Sequence, residues 1–232
     1  MIARTIFILL LCLPAVAFAE STFVYTVKKN GETCEQIAED VYGDENRVDL
    51  LHKHNDLTDK CWLGPNKKAH KLKGGTKLKL PEPPPAGRIS DANGKVNSKS
   101  PSADWSPATL GLDLYRLWRV NTLDKSQAEV TFRDRSRLEM RENTLILIYG
   151  STKSKARQTP SRASLEKGAL RSKLDELAGG GVIVETPSSV NEVKSKSALV
   201  TVEDSGTTRV ANHGEGSVGV SSKPKTKKKR RK

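Results

Sequence analysis

Residues 23–43 read FVYTVKKNGETCEQIAEDVYG, and residues 71–81 read KLKGGTKLKLP. Phe23 to Val27 alternates apolar and polar residues, with Phe23 and Tyr25 on one face, which is the period of a half-buried strand. Asn30-Gly31 is a turn pair. Thr33 followed three residues later by Gln36 spells a capping box: the Thr33 hydroxyl accepts from the Gln36 backbone N–H, and the Gln36 side chain reaches back. Cys34, Ile37, Ala38 and Val41 then fall on one helical stripe, and Gly43 ends the helix. Asp44 can cap a second helix over 47–54, whose apolar side is Val48, Leu50 and Leu51. Thr76 to Leu80 alternates again, and Pro81 stops it. The predicted order is strand, helix, helix, strand.

Working outward, the 232 residues leave room for one or two small domains. With 35% hydrophobic and 5% aromatic residues, two modest cores fit better than one large one. At the start, Arg4, the apolar run Ile6 to Leu13 and Ala17-Phe18-Ala19 before Glu20 have the three parts of an export signal. The apolar run is too short to span a bilayer. Residues 1–19 are therefore expected to be a cleaved signal peptide, leaving no transmembrane segment and placing the chain in the periplasm or on the cell surface. Leu11 stands before Cys12 where a lipoprotein needs a small residue. Cleavage leaves Cys34 and Cys61. In an exported chain an even pair favours a disulfide, which would close a loop of about 28 residues worth about 3 kcal/mol at most. The other reading is a buried thiol at Cys34 and an exposed one at Cys61.

Tyr25-Thr26-Val27, Gly31-Glu32-Thr33, Ile37-Ala38, Tyr42-Gly43-Asp44, Asn55 and Gly75-Thr76-Lys77-Leu78-Lys79-Leu80-Pro81 resemble, in order and spacing, the LysM family. The resemblance spans the unit at 20–81. Gly-Glu-Thr replaces the usual Gly-Asp-Thr, and the loop from Asp56 to Gly75 is longer than usual and Lys-rich. It implies non-covalent binding of an N-acetylglucosamine polymer such as peptidoglycan, in a groove between the loops Lys28 to Thr33 and Asn55 to Leu63. Such a sugar is held by backbone donors and acceptors to its acetamido group and by apolar contact with the ring face. Asn30, Gly31, Glu32 and Thr33 are expected on one wall, and Asp56, Leu57 and Thr58 on the other. Thr33 also caps the helix, and Asn55 shapes the turn after the second helix. Trp62 either stacks on a sugar ring or packs under the loop. Lys60, Lys67, Lys68, Lys71 and Lys73 form a positive flank that faces anionic wall polymers or is simply solvated.

Residues 82–104 read as a linker. Pro83-Pro84-Pro85 is stiff, and Gly87 to Ser102 is polar without an apolar period. From Trp105 the pattern changes. Ala128, Val130, Phe132; Leu138, Met140; Ile146, Ile148; Val182, Val184; and Val200, Val202 alternate with polar residues between turn signals, which predicts many short strands. Arg133-Asp134-Arg135-Ser136 reads as a hairpin tip, and Gly179 to Gly181 as a break. Ala169 to Ala178 suits a helix, or residues 164–173 a strand pair about Gly168. Trp105, Gly111, Arg119 to Thr122, Ser126, Val130 to Phe132, Asp134 to Ser136, Glu142 to Thr144, Leu165 to Gly168, Glu185 to Pro187, Thr207 to Val210 and Gly216 to Val218 resemble the FecR-type periplasmic domain. This second resemblance covers 105–220. Arg135 replaces the usual turn Gly, and a later Gly-Thr pair is missing around 194–198. It implies a solenoid-like or sandwich-like β module that binds other envelope proteins and does no chemistry. Neither the membrane-spanning segment nor the sigma-factor-binding part of regulatory members is present, so transmembrane signalling does not carry over.

The formal charge is +13, and the last ten residues, KPKTKKKRRK, hold eight positive charges. Residues 221–232 are expected to be a disordered basic tail attracted to any anionic polymer. Without interleaved aromatic residues it has no specific nucleic-acid site. His52, His54, His70 and His213 make no HExxH, no Cys-His pattern accompanies them, and no GxSxG or phosphate-cradling loop is present. No catalytic residue, metal or cofactor is expected. The sequence thus predicts an α+β unit, a predominantly β unit and a tail. The expected function is that of an exported, non-enzymatic envelope protein that binds glycan and presents an interaction module. The alternatives are an envelope sensor or regulatory component whose β-rich unit binds a partner protein, and an accessory to a cell-wall hydrolase.

Overall fold

The computed structural model describes residues 21–65, 68–101, 103–151, 153–154, 157–175 and 180–223. The expected signal peptide, Lys67, the helix-or-strand question at 176–178 and the tail beyond residue 223 lie outside the described residues. The amino-terminal unit comprises β1 (Thr22–Thr26), α1 (Cys34–Tyr42), α2 (Val48–His54), β2 (Trp62–Leu63), β3 (His70–Lys71) and β4 (Lys77–Pro81). β1 pairs antiparallel with β4, from Thr22 opposite Pro81 to Thr26 opposite Lys77. The capping box at Thr33 and Gln36 is formed, and Gly43 closes α1 in the left-handed conformation. Cys34 and Cys61 are disulfide-bonded, with Cα atoms 5.5 Å apart. They sit in a small core with Val27, Ile37, Ala38, Leu51, Leu72, Leu78 and Leu80. One local expectation is corrected: Asp44 does not cap α2. Its carboxylate accepts from the Asn46 N–H in a turn, and Arg47 stands at the helix start with no side-chain cap.

The expected linker at 82–104 is not a linker. The β-rich unit begins there, with β5 (Gly87–Asn93) and β6 (Val96–Lys99). Each strand carries few apolar residues, but Ile89 and Val96 are buried in the large core. That is enough because β5 is paired by β10, and β6 by β9. The chain continues through β7 (Ser106–Pro107), β8 (Asp113–Leu114), β9 (Arg119–Thr122), β10 (Gln127–Phe132), β11 (Arg137–Met140), β12 (Leu145–Gly150), β13 (Lys153–Ser154) and β14 (Arg157–Gln158). It ends with β15 (Ser161–Lys173), β16 (Val182–Glu185), β17 (Ser189–Val193), β18 (Ser197–Val202), β19 (Thr208–Asn212) and β20 (Val218–Ser222). β20 also carries the unit two residues past the expected boundary at 220.

β15 organises this unit. Its first half lies between β12 and β16, and its second half between β11 and β18. One sheet runs β7-β6-β9-β12-β15-β16-β17-β20, and the other β8-β5-β10-β11-β15-β18-β19. The two meet along β15 as one curled sheet whose inward faces share a core. Val130, Leu138, Met140, Ile146, Ile148, Leu165, Leu170, Val184 and Val200 are all fully buried in it. Among the described residues β15 and β16 run parallel, and the other ladders of this sheet are antiparallel. Residues 170–173 continue β15, so the helix reading of that stretch is overturned. Gly168 lies where the strand passes from one sheet to the other, at φ +91°, and a Cβ there would stand 2.5 Å from Thr144 Oγ1. The Arg133–Ser136 tip is the β10–β11 turn, with Arg135 left-handed at φ 66°.

Candidate functional site

The expected glycan residues lie on two loops that the disulfide joins covalently, since Thr33 precedes Cys34 and Trp62 follows Cys61. Much of their polar capacity is already used. Glu32 is buried; its carboxylate accepts from Tyr25 Oη at 3.3 Å and from the Lys28 N–H at 2.8 Å. Burial, followed by the Glu32 and Asp40 charges, pushes the Tyr25 phenol well above its ordinary range. The Thr33 hydroxyl is spent on the capping box. Asn30 Oδ1 accepts from the Gly74 N–H at 2.9 Å and ties the first loop to the Lys-rich one. Leu57 packs against the small core. Thr58 Oγ1 accepts from the Trp62 N–H. Trp62 is half-buried beneath Lys60, whose Nζ lies 6.0 Å from the ring centroid. Gly31 and Asp56 remain exposed. Beside this loop runs a shallow, acid-rich groove lined by Lys28, Lys29, Glu35, Glu39, Asp40 and Glu45. The Glu35 carboxyl is held below its usual range by its own backbone N–H and the Thr33 hydroxyl. Lys60, Lys68, Lys71 and Lys73 are exposed.

A second concavity lies where the two units meet. It is mostly apolar, about 460 Å³ in volume, and is walled by β1 residues 23–26 on one side and by the Tyr115–Trp118 segment on the other. Tyr115 and Trp118 face each other with ring centroids 5.5 Å apart at 52°. Leu117 between them is left-handed at φ 65°, a conformation unusual for a branched residue. Arg116 clamps the units together. It donates to the Glu39 carbonyl at 3.0 Å, to Glu39 Oε1 at 3.1 Å and to the Tyr149 carbonyl at 3.1 Å, and lies over the Tyr149 ring. The sequence reading missed this segment. Its signal was composition: two aromatic residues within four positions of a chain that is 5% aromatic.

A third feature is a buried polar pin. Asp134 accepts from the N–H and hydroxyl of Ser136 and from the N–H and hydroxyl of Ser161. It fastens the β10–β11 turn to the start of β15. Its partners are all within the fold, so its geometry is structural. Among the described residues, no group of three or more His, Cys, Asp or Glu is placed to hold a metal ion, and no helix is long and apolar enough to cross a membrane.

Residues 119–219 match the family model of the FecR protein. The match begins at the first residue of β9 and ends within β20, so it takes in β15 and the shared core. The strands β5 to β8 precede the FecR domain in sequence but complete both of its sheets at one end. The amino-terminal unit has no LysM match. No curated protein and no solved structure matches the chain. The FecR match is consistent with an envelope protein.

Proposed function

We propose that this chain is an exported envelope sensor or regulatory component whose FecR domain binds a partner protein and performs no catalytic step. The observation that carries the reading is the FecR match over 119–219 on the two sheets that share β15. The clamp of Arg116 on Glu39 supports a regulatory arrangement, because a ligand on the amino-terminal unit would be felt at the root of the FecR domain. The test is chemical cross-linking of the full chain in envelope fractions, with and without soluble muropeptides. A protein partner whose yield changes with muropeptide supports the reading; no cross-linked protein under either condition removes it.

One observation favours a second reading, that of a glycan-bound scaffold: the strand-helix-helix-strand order with its capping box and bridged loops. On that reading the amino-terminal unit holds peptidoglycan, and the basic tail adds unspecific attraction to anionic polymers. Co-sedimentation of the full chain with cell-wall sacculi at high salt decides it, since salt silences the charge-driven part. A chain that stays in the supernatant there is not a peptidoglycan binder.

A further inference from the structure

The small sheet of the amino-terminal unit has one closed edge and one open edge. On β4, the Lys79 N–H donates to Asn55 Oδ1 and the Lys79 carbonyl accepts from Asn55 Nδ2, each at 2.8 Å. That side-chain amide takes the place of a third strand. Antiparallel pairs alternate between those that exchange main-chain bonds and those that turn them outward. Lys79 turns outward, so Val24 opposite it turns its N–H and C=O away from β4 as well. Among the described residues nothing bonds those two Val24 groups. An open edge of this kind is usually blunted by Lys, Pro or a covering element. β1 has no Lys or Pro, and Val24 is 58% exposed.

That edge faces the cleft between the units. Four successive β1 residues line it. Side chains alternate between the faces of a strand, so four in a row are reached only from the edge, over about 13 Å at about 3.3 Å per residue. The opposite wall is the Tyr115–Trp118 pair. The cations at the cleft are already matched: Lys28 with Asp40, and Arg116 with Glu39. The Glu82 carboxylate is exposed at the rim beside Tyr115, so the cleft offers a row of main-chain groups, an aromatic wall and little net charge beyond that carboxylate.

We infer that an extended, uncharged peptide segment of a partner protein adds to β1 as a further strand, with a bulky apolar side chain against Tyr115 and Trp118. Strand addition supplies affinity through main-chain bonds and specificity through alternate side chains. A neutral glycan would engage the rings but has no repeat matched to the strand edge. The inference rests on the regulatory reading for the existence of a protein partner and adds where that partner docks.

The test is selection of a random octapeptide library on the immobilised full chain. Enriched peptides are expected to be uncharged, with large apolar residues at alternate positions. Their binding should fall at least tenfold when alternate backbone amides of the peptide are N-methylated, which removes ladder bonds and keeps the side chains. It should fall similarly in Val24→Pro, which deletes an N–H that the fold does not use. Val24→Lys, an exposed change that leaves every ladder bond in place, serves as the second variant, and thermal melting checks that both fold. No enriched peptide, or peptides that bind both variants as tightly as the parent chain, would overturn the inference. So would an N-acetylglucosamine tetramer that binds the parent and Val24→Pro equally and is lost in Trp118→Ala, since the cleft would then be a sugar site. A partner that docks elsewhere on the FecR domain would still cross-link to Val24→Pro, so failure here is separable from failure of the regulatory reading.

Discussion

Asp134 carries four hydrogen bonds on two buried oxygens, and their geometry leaves no room for a neutral substitute. Its Oδ2 lies 2.6 Å from Ser161 Oγ and 3.1 Å from the Ser161 N–H. Asp134→Ala strands those buried donors and is expected to cost about 3 kcal/mol, read as a lower urea midpoint for the β-rich unit. Glu139 shows a milder electrostatic effect. The hydrogen bond from Lys173 Nζ at 2.8 Å holds its carboxyl below the usual range against the opposing effect of burial. Because the folded value lies below the unfolded one, the contribution is full above the ordinary carboxyl value of 4.5 and is lost as pH falls through the folded value. Partial exposure keeps it under about 1 kcal/mol. Glu139→Gln should therefore shallow the acid limb of a stability-against-pH curve and leave its slope near neutrality unchanged. The capping pair Thr33 and Gln36 was readable in sequence because both partners lie within one turn. Asn55 was read only as a turn residue, because its partner Lys79 lies 24 positions away.

Strands whose inward residues are all apolar were legible: β10 announces itself through Ala128, Val130 and Phe132, each buried. β5 and β6 were not. Their inward positions include Gly87 and Ser98, and their outward ones include Arg, Ser, Asp, Asn and Lys, so periodicity had Ile89 with an out-of-step Ala92 in β5, and Val96 alone in β6, to work with. Ser98 is buried although polar, which no hydrophobic pattern reveals. The β15 crossover was half-legible. Gly168 was read as the centre of a strand pair, yet it is a passage, since both halves of one strand continue through it. Gly168→Ala would force a Cβ to within 2.6 Å of the Thr144 Cα and 2.7 Å of the Asn143 carbonyl oxygen. The expected loss is at least about 2 kcal/mol by differential scanning calorimetry. In the amino-terminal unit, reduction or a Cys34→Ser, Cys61→Ser pair is expected to cost about 3 kcal/mol, seen as a lower melting transition of that unit alone.

At the scale of the molecule, Arg116 couples the two units. Burial lowers its proton affinity and Glu39 raises it, with burial the larger influence. Arg116→Ala removes the bonds to Glu39 and Tyr149 together. The expected outcome is two resolved unfolding transitions where the parent chain shows closer ones, with the secondary structure of each unit intact by circular dichroism. β15 has a different consequence, for a chain that leaves the ribosome amino terminus first. Until residue 161 emerges, β11 and β12 each present a bare margin. A nascent chain halted there has two sticky flanks rather than one, and β15 seals both in a single stroke. Synthesis paused just before that strand is the moment at which this protein most needs a chaperone.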